Sequence, residues 1–379
     1  MREALNELPS TPDEAFENIL RRIEQQEHRA ATTAKRTLTW CYYSRRPLQM
    51  DELRQALVVE DTHRALKSSG KTATSIVDCC LSFITHDQST GGVRFIHPSV
   101  QRWFKGEPQN QKLLTHDYLA KTCLTYLNFD VFGTFGTFDV PINYSIIKVI
   151  TPYPFLKYAT RFWGDHTREA QQDPTVQKAA WALLEAENRR NLMLIVANDG
   201  YPKRQTALHV AASCGLAALC HSLLLEAGTE VDVQEEDGVT ALHRAASEGH
   251  ERVVKILLEA GAEVNKQGRR GGTAFNWAAS RGDERVEETL LEAGAEVDEE
   301  LAEILQRRKV AKGDLAAEKA NDPETGRGER LFEDIVPSGR ILSPEFGDTS
   351  REVTESCLSE EEEEEESQYL LAADDSDME

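Results

Sequence analysis

Apolar residues in the second half of the chain recur in blocks that repeat every 33 or 34 residues. Three segments align: Gln205 to Asp232, Val239 to Asn265 and Gly272 to Asp298. Each has an Ala-Ala pair in its first half, a glycine at its middle and a Leu-Leu pair in its second half. This spacing predicts two short helices joined by a tight turn and followed by an extended loop, with the leucine pair on the buried face of the second helix.

Glycines punctuate each repeat at two positions. Gly215, Gly249 and Gly282 lie where the chain must reverse between the helices, which favours a positive φ angle. A second glycine ends the second helix of each repeat; these are Gly228, Gly261 and Gly294. One extra residue lies between the two glycines of the first repeat.

The first half of the chain has a different pattern. The predicted helices are, in chain order, Asp13 to His28, Thr37 to Tyr43, a capped helix that follows a turn at Pro47 and ends at Leu57, and Ser75 to Phe83. Two apolar runs, Phe83 to Thr85 and Val93 to Ile96, flank a polar turn that contains glycine, which predicts a β-hairpin. Helices followed by a hairpin are the element order of a winged-helix fold.

Helical segments are also predicted on both sides of the repeats. Ala179 to Leu184 and Asn191 to Ala197 are expected to bury the open face of the first repeat. Asp298 to Leu305 is expected to form a closing half-repeat. Arg307 to Lys309 place positive charge at its carboxyl end, where the helix dipole favours it.

The repeated unit resembles the ankyrin repeat. The family pattern G-x-T-P-L-H-x-A-A-x-x-G-H is nearly complete in GVTALHRAASEGH, which runs from Gly238 to His250. The family proline is alanine in all three repeats, and the histidine is Asn276 in the third. The resemblance implies a short α-solenoid that binds another protein through its turn tips and concave helix face. It also implies that His209 and His243 hydrogen-bond the backbone between adjacent turns, and so disfavours a metal or acid-base role for them.

The N-terminal segments resemble the winged-helix region that follows the nucleotide-binding module in fungal signalling ATPases of the NACHT class. The resemblance rests on LPSTPDEAFENILRRIEQ, SRRPLQMDELRQALVVE, IVDCCLSFIT and VRFIHPSVQRWF, and continues in LAKTCLTYL and YPFLKYATRFWGDH. In that family ankyrin repeats commonly come next, as they do here. The region is a regulatory spacer there, so the resemblance implies no activity.

Charge and cysteine usage narrow the class of protein. The net charge of the 379 residues is −22, and 25 acids against 9 bases lie from Glu299 to Glu379. We expect an acidic disordered tail at 313–379, which includes seven successive glutamates from Glu360 to Glu366. This charge disfavours a nucleic-acid partner. Seven scattered cysteines, no long apolar run and no signal-peptide pattern predict a cytoplasmic or nuclear protein that does not span a membrane.

Some motifs imitate catalytic or nucleotide-binding sites. Ser68 to Thr72 has the ending of a phosphate loop, but Ala65 stands where that motif needs a glycine. His97 and Ser99 lack an accompanying acid or oxyanion motif, and Ser99 is expected to help cap a helix. We therefore predict no enzyme activity, no catalytic residue, no cofactor and no metal site.

Three other features are each open to two interpretations. The loop Gly133 to Phe138 either packs its phenylalanines inward or contacts a partner. Cys79 and Cys80 lie in an apolar helix, where buried inert thiols are favoured over a redox site. The winged helix offers a few bases for DNA, namely Arg45, Arg46 and Arg54, but the acidic remainder of the chain disfavours that use.

Motif position predicts which side chains meet a protein partner, the alternative being a merely solvated face. They are Lys203, Gln205 and Ser213 in repeat one, Glu236, Asp237, Val239, Ser247 and Glu248 in repeat two, and Arg269, Arg270, Ser280 and Arg281 in repeat three. The tips are acidic in repeat two and basic in repeat three, so the partner surface would have mixed charge. Ser359 and Ser356 precede the glutamate run and are predicted phosphorylation sites for an acid-preferring kinase.

Together these patterns predict a mainly α-helical protein. We expect a winged-helix-like domain at 1–110, a helical region at 111–199, three ankyrin repeats with a C-terminal cap at 200–312 and the tail at 313–379. The expected function is a non-enzymatic scaffold whose repeats recognise a protein partner in intracellular signalling. The alternative is the ligand-sensing, regulatory arm of an ATP-driven NACHT-type switch whose nucleotide-binding domain is missing from this chain.

Overall fold

A computed structural model of the chain describes residues 11–60, 64–66, 70, 72–106, 113–134, 151–197, 205–226, 228–235, 237–268, 271–297, 299, 302–303 and 306–308. Within these ranges the protein is mainly helical and has a small three-stranded sheet in its N-terminal part. The tail predicted to be disordered, 313–379, lies outside the described residues. So does most of the closing helix predicted at Asp298 to Leu305.

The N-terminal part has the predicted winged-helix fold. Its elements are α1 (Pro12–Glu24), α2 (His28–Tyr43), β1 (Leu48–Gln49), α3 (Met50–Ala56), α4 (Ala73–Cys79), β2 (Ile84–His86), β3 (Gly92–Phe95) and α5 (Pro98–Lys105). The strands pair antiparallel in the order β1-β3-β2. Ile84 lies opposite Phe95 in the predicted hairpin, which places apolar side chains of both strands on the core.

Strand β1 was not predicted from the sequence, which indicated only a turn there. Two residues are too few to show a strand period. The strand forms because Leu48 pairs with Val93 of β3, more than forty residues further along the chain. Such a long-range pairing leaves no local sequence signal.

Three helix boundaries in this part also differ from the prediction, the first being that α1 ends at Glu24 rather than at His28, which begins α2. Helix α4 ends at Cys79 rather than Phe83, because Leu81 and Ser82 adopt positive φ angles of 45° and 71° that no α-helix accommodates. Helix α2 begins at His28, well before the apolar run from Thr37. Polar side chains in the first turns of α2 face solvent, so the run of apolar residues marks only the second half of this helix.

Four helices connect the winged helix to the repeats. They are α6 (His116–Leu127), α7 (Phe155–Glu169), α8 (Pro174–Glu185) and α9 (Glu187–Ala197), with a short 3₁₀ helix, Asp130–Thr134, after α6. Both helices predicted just before the repeats are present, inside α8 and α9. Helix α8 packs on both helices of the first repeat, as expected for an element that covers its open face.

Each repeat forms the predicted pair of helices. Their bounds are α10 (Ala207–Ser213) and α11 (Ala217–Leu225), α12 (Ala241–Ser247) and α13 (Glu251–Glu259), α14 (Ala274–Arg281) and α15 (Glu284–Glu292). A threonine hydroxyl caps the first helix of each by accepting the third backbone N–H; these are Thr206, Thr240 and Thr273. The turn glycines Gly215 and Gly249 have the predicted positive φ angles, 71° and 74°.

Both leucines of each pair were predicted to be buried, but in no repeat does the structure bury both. In repeats two and three the first leucine of each pair, Leu257 or Leu290, is buried, whereas Leu291 is exposed. In repeat one the extra residue lies after Leu225, so Leu223, eight residues after its turn glycine like Leu257 and Leu290, takes the buried position, and Leu225 is 69% exposed. A helix buries a stripe rather than two successive positions, which is why Leu258 is only half-buried and Leu291 is exposed.

Helix α7 contacts both the winged helix and the repeats. On one side the Tyr158 hydroxyl accepts a hydrogen bond from the Arg45 backbone N–H at 3.1 Å. Trp40 of α2 meets the rings of Phe155 and Tyr158 edge-on. On the other side Arg168 donates to the Cys214 carbonyl of repeat one at 3.2 Å. The helix therefore ties the two parts of the fold together.

Candidate functional site

Eight of the twelve predicted partner-binding residues belong to the described part of the chain. They are Gln205, Ser213, Asp237, Val239, Ser247, Glu248, Ser280 and Arg281. The others, Lys203, Glu236, Arg269 and Arg270, lie outside it, as do the predicted phosphorylation sites Ser356 and Ser359. Repeats two and three supply every described member that is open to solvent.

The exposed members occupy equivalent positions in successive repeats. Glu248 and Arg281 each directly precede a turn glycine, and their side chains form an ion pair of 3.5 Å between repeats two and three. These side chains are 45% and 56% exposed. Asp237 and Ser280 are also exposed, and Ser247 is half-buried. The structure thus places charged and hydroxyl groups of two neighbouring repeats side by side.

Two predicted residues are buried, so a partner cannot reach their side chains. Val239 lies in the core between the repeats, and its carbonyl accepts a hydrogen bond from His209 Nε2 at 3.1 Å. Gln205 is covered as well, and its side-chain amide donates to Glu235 at 3.3 Å. The family motif marks both as turn-tip positions, but here the neighbouring repeat and loop cover them.

The two repeat histidines have the structural role that the resemblance implied. His243 Nδ1 accepts from the Thr240 backbone N–H at 3.2 Å, and its Nε2 donates to the Gly272 carbonyl at 3.2 Å. Both ring nitrogens are therefore occupied in the neutral form. Burial lowers the pKa of His243 and also that of His209, which keeps both rings uncharged.

A buried ion pair missed by sequence reasoning supports the tip of repeat two. Arg244 binds Glu235 through two parallel bonds, of 3.0 Å from Nε and 2.6 Å from Nη2. The Glu235 side chain is only 6% exposed. Bidentate geometry of this kind holds both side chains in one orientation. The pair therefore fixes the loop that carries Asp237.

Trp277 is the second residue that sequence reasoning missed. The repeat period puts Val210, Arg244 and Trp277 at the same position, one residue after the histidine or its replacement. Trp277 is half-buried, and its ring meets His243 edge-on at 5.5 Å between centroids. It shares a helix face with Ser280 and Arg281, three and four residues further along α14. The same alignment that revealed the repeats held this signal.

The corresponding side of repeat one is covered by α7. A Cβ atom built on Gly164 would lie 2.8 Å from the Cys214 Cβ, so the helix backbone packs directly on this residue. Cys214 occupies the position of Glu248 and Arg281 in the repeat alignment. Ser213 is half-buried beside it, and its carbonyl accepts from His250 Nε2 at 3.0 Å. The open surface therefore begins at repeat two.

The remaining candidate motifs have structural roles where the structure describes them. Thr72, the last residue of the phosphate-loop-like segment, caps α4 by accepting the Ser75 N–H at 3.1 Å. His97 caps α5 through Nδ1, which accepts the Ser99 N–H at 3.1 Å. Within the described ranges, no group of three or more histidine, cysteine or acidic side chains is arranged to hold a metal ion.

Two other predicted features are the Cys79–Cys80 pair, which the structure describes, and the aromatic loop, which it describes only in part. Cys79 and Cys80 are buried, and the Cys79 hydrogen bond and burial raise the pKa of Cys80, which keeps it in the unreactive thiol form. Of the aromatic loop from Gly133, only the first two residues are described. Across the described part of the chain, no helix has both the length and the apolar character that crossing a membrane requires.

Comparison with known proteins identifies two kinds of domain. The family model for ankyrin repeats matches in three copies, over residues 177–268 and 208–300. The family model described as "GPI inositol-deacylase, winged helix domain" matches residues 22–113. Among solved structures, the crystal structure of the human ASB11 ankyrin repeat domain is 34% identical. That match covers 24% of this chain and 41% of that one, with a TM-score of 0.24. No curated protein matches the chain.

Proposed function

We propose that this chain, in which a winged-helix domain precedes ankyrin repeats, is a non-enzymatic scaffold that docks a protein partner on repeats two and three. The observation that carries the proposal is the open surface formed by Asp237, Ser247, Glu248, Ser280 and Arg281 beside the half-buried Trp277. We call these six residues the docking face. They come from two repeats, and the equivalent side of repeat one is already covered by α7.

The chemistry of the docking face suits a protein surface of mixed charge. An exposed ion pair such as Glu248–Arg281 contributes only about 0–1 kcal/mol, so its partners are easily exchanged for groups of a binding protein. Trp277 offers a large, partly covered ring, and tryptophan and arginine are over-represented among residues that dominate binding energy. We therefore expect Trp277 and Arg281 to contribute most to affinity.

The winged helix is proposed to act as a scaffold and not as a DNA-binding module. Helix α4 takes the place of the recognition helix of such folds, and its exposed side chains are Thr74, Ser75 and Asp78. This face presents a carboxylate where a phosphate backbone requires basic groups. Of the bases considered above, Arg46 is bonded to the buried Glu52 at 2.7 Å and is unavailable to a nucleic acid.

A cytoplasmic or nuclear location in intracellular signalling is part of the same proposal. The six cysteines in the described residues are free thiols, which supports a reducing compartment. Imaging of the tagged protein in its source cell tests this, and accumulation in the secretory pathway would contradict it. Ser356 and Ser359 are proposed as phosphorylation sites in the acidic segment; native mass spectra in which both are unmodified would contradict that assignment.

A second candidate function is the sensing arm of an ATP-driven switch. The winged-helix match followed by ankyrin repeats supports it, as does α7, which would pass a change at the repeats to the winged helix. Transcript sequence upstream of Met1 tests it. An in-frame phosphate loop there would favour the switch, and a stop codon directly upstream would favour the free scaffold. The proposed division at 110, 199 and 312 is tested separately by limited proteolysis.

Charge reversal within the docking face tests the main proposal. Full-length chain with Arg281→Glu or Trp277→Ala is compared with wild type in quantitative affinity purification from the source cell. Lys255→Glu is the matched control, because Lys255 is an exposed base on α13 outside the docking face. We expect one defined set of proteins to fall at least tenfold with both docking-face variants and to persist with the control. Equal recovery in all samples would overturn the proposal.

A further inference from the structure

The last repeat buries an acid where the earlier repeats bury apolar side chains. Five residues after the turn glycine, repeats one and two place Cys220 and Val254, both fully buried between helices. Repeat three places Glu287 at this position, only 7% exposed. A carboxylate without a partner is costly at such a site, so its presence calls for a cation.

Arg308, beyond the third repeat, supplies that cation. Its Nη1 donates to Glu287 Oε1 at 2.8 Å, and its Nη2 donates to the Ala279 carbonyl at 2.8 Å. The carbonyl belongs to the last turn of α14, and it also accepts the Gly282 backbone N–H at 3.2 Å, so Arg308 adds a second bond to this helix end. One planar guanidinium thus serves a buried acid and a helix end together.

The position of Arg308 matches that of residues from a following repeat. In the three repeats, the residue that directly follows a turn glycine covers the turn glycine of the preceding repeat. His250 covers Gly215, with its Nδ1 2.8 Å from where a Cβ on the glycine would be, and Asp283 covers Gly249 in the same way. Gly282 has no later repeat to cover it, and Arg308 Nη1 lies 3.7 Å from its would-be Cβ.

Another position of repeat three shows the same adaptation. His209 and His243 each reach the loop of the following repeat, donating to the carbonyls of Val239 and Gly272. The equivalent residue of repeat three is the shorter Asn276. Its Oδ1 accepts from the Thr273 N–H at 2.8 Å, inside its own repeat. Both this residue and Glu287 fit a repeat that is followed by a cap.

We propose that Glu287, the Ala279 carbonyl and the open space above Gly282 form a guanidinium-binding socket that Arg308 fills from the same chain. The socket ends the array at three repeats, because an incoming fourth repeat would have to bury Glu287 against its own apolar face. The assignment is independent of the partner proposed for the docking face. It makes Arg308 part of the cap that follows the third repeat.

Hydrogen exchange of the full chain tests the socket locally. Arg308→Ala is compared with Arg307→Ala, a neighbouring arginine whose ion pair with Glu303 is solvent-exposed on both sides. We expect the amides of α14 and α15 to exchange at least tenfold faster in Arg308→Ala and at the wild-type rate in Arg307→Ala. Equal exchange in both variants would overturn the socket.

Two further variants separate the guanidinium socket from a general loss of packing. Arg308→Lys keeps the charge but offers no planar pair of donors, so we expect it to recover only part of the protection. The double variant Glu287→Val/Arg308→Ala removes the buried acid and restores the residue found in repeat two. It is expected to exchange more slowly than Arg308→Ala alone, even if that single variant is largely unfolded. Full recovery by lysine, or a double variant no better than the single one, would contradict the assignment.

Discussion

Gly164 of α7 lies so close to Cys214 of the first repeat that no larger residue fits at position 164. A Cβ atom at position 164 would be 2.8 Å from the Cys214 Cβ, below any ordinary carbon–carbon contact. The glycine lies in the middle of a 15-residue helix, where its own preference is unfavourable. Close approach of the two backbones explains why it is there.

Replacement of this glycine should therefore destabilise the protein, although Gly→Ala inside a helix usually stabilises by about 1 kcal/mol. We expect Gly164→Ala to lower the free energy of unfolding by about 1–3 kcal/mol through overpacking. Urea denaturation followed by circular dichroism measures this. Gly133→Ala is the control, because its nearest neighbour is a flexible Arg189 side chain at 3.7 Å.

A second substitution checks that the overpacking acts through Cys214. Cys214→Gly removes the atoms that a Cβ at 164 would meet, so the pair of changes should cost less than the sum of the two alone. Strict additivity would show that the destabilisation of Gly164→Ala arises elsewhere.

Stability should fall at mildly acidic pH because of a buried histidine between α6 and α7. His166 is fully buried, with its Nε2 bonded to the Tyr158 hydroxyl at 2.9 Å and its Nδ1 to His116 Nδ1 at 3.2 Å. Burial lowers the pKa of His166 to about 3 and also lowers that of His116. Between pH 6.5 and about 3 the unfolded chain therefore binds a proton at residue 166 that the folded chain does not.

The sign and size of this effect follow from proton linkage. The contribution of His166 is fully present above pH 6.5 and is lost as pH falls, by about 1.4 kcal/mol per pH unit. Urea denaturation at pH 7 and pH 5 should differ by about 2 kcal/mol more in wild type than in His166→Gln. His221→Gln, at an exposed position, is the control. The same pH difference in all three proteins would refute the assignment.

Leu225 of repeat one is exposed because its helix position faces solvent in every repeat. It occupies the position held by Glu259 and Glu292 in the other repeats. Leu225→Glu should therefore change the free energy of unfolding by no more than about 0.5 kcal/mol. Leu223→Glu, two residues earlier in the buried register, should cost several kcal/mol, about what burial of an unpaired charge requires. Thermal unfolding of the two variants distinguishes these outcomes; similar losses in both would contradict this register.

The two ion pairs near the docking face should contribute very differently to stability. Arg244→Ala leaves the buried Glu235 carboxylate without its cation, with the Gln205 amide still donating to it, and we expect a loss of about 3 kcal/mol. Arg281→Ala breaks an exposed pair and should cost less than about 1 kcal/mol. Equilibrium unfolding measures both, with Glu235→Gln/Arg244→Ala as the variant that removes the orphaned charge. If the two single losses are equal, the burial of Glu235 does not matter.

Features carried by local pattern could be predicted from the sequence, and features made by distant contacts could not. The repeat period predicted the paired helices and the positive φ angles of the turn glycines, and the ankyrin resemblance implied the structural role of His243. Strand β1 and the Gly164–Cys214 contact depend on residues about fifty positions apart, which no period reports. Burial of Val239 was missed for the same reason.

Arg244 and Trp277 were not predicted as site residues, because the prediction took only the positions that the family motif marks. Arg244 and Trp277 share the repeat position of Val210, so the alignment already marked them as neighbours of Glu248 and Arg281. The family motif specifies no residue type at this position, so the motif alone does not mark it as part of a site. The exposure of Leu225 could have been predicted by counting from the turn glycine, which aligns it with a glutamate in each of the other two repeats; successive helix positions differ by about 100°.

Site-specific photo-crosslinking tests whether a partner docks on repeats two and three. A photoreactive benzoyl-phenylalanine is placed at Ser280 in the docking face or at Lys255 on α13, both exposed, and the full chain is irradiated in its source cell. We expect a defined crosslinked partner from position 280 that is absent from position 255 and is lost when Trp277→Ala is added. Crosslinks of equal yield at both positions, or from position 255 alone, would contradict docking on repeats two and three.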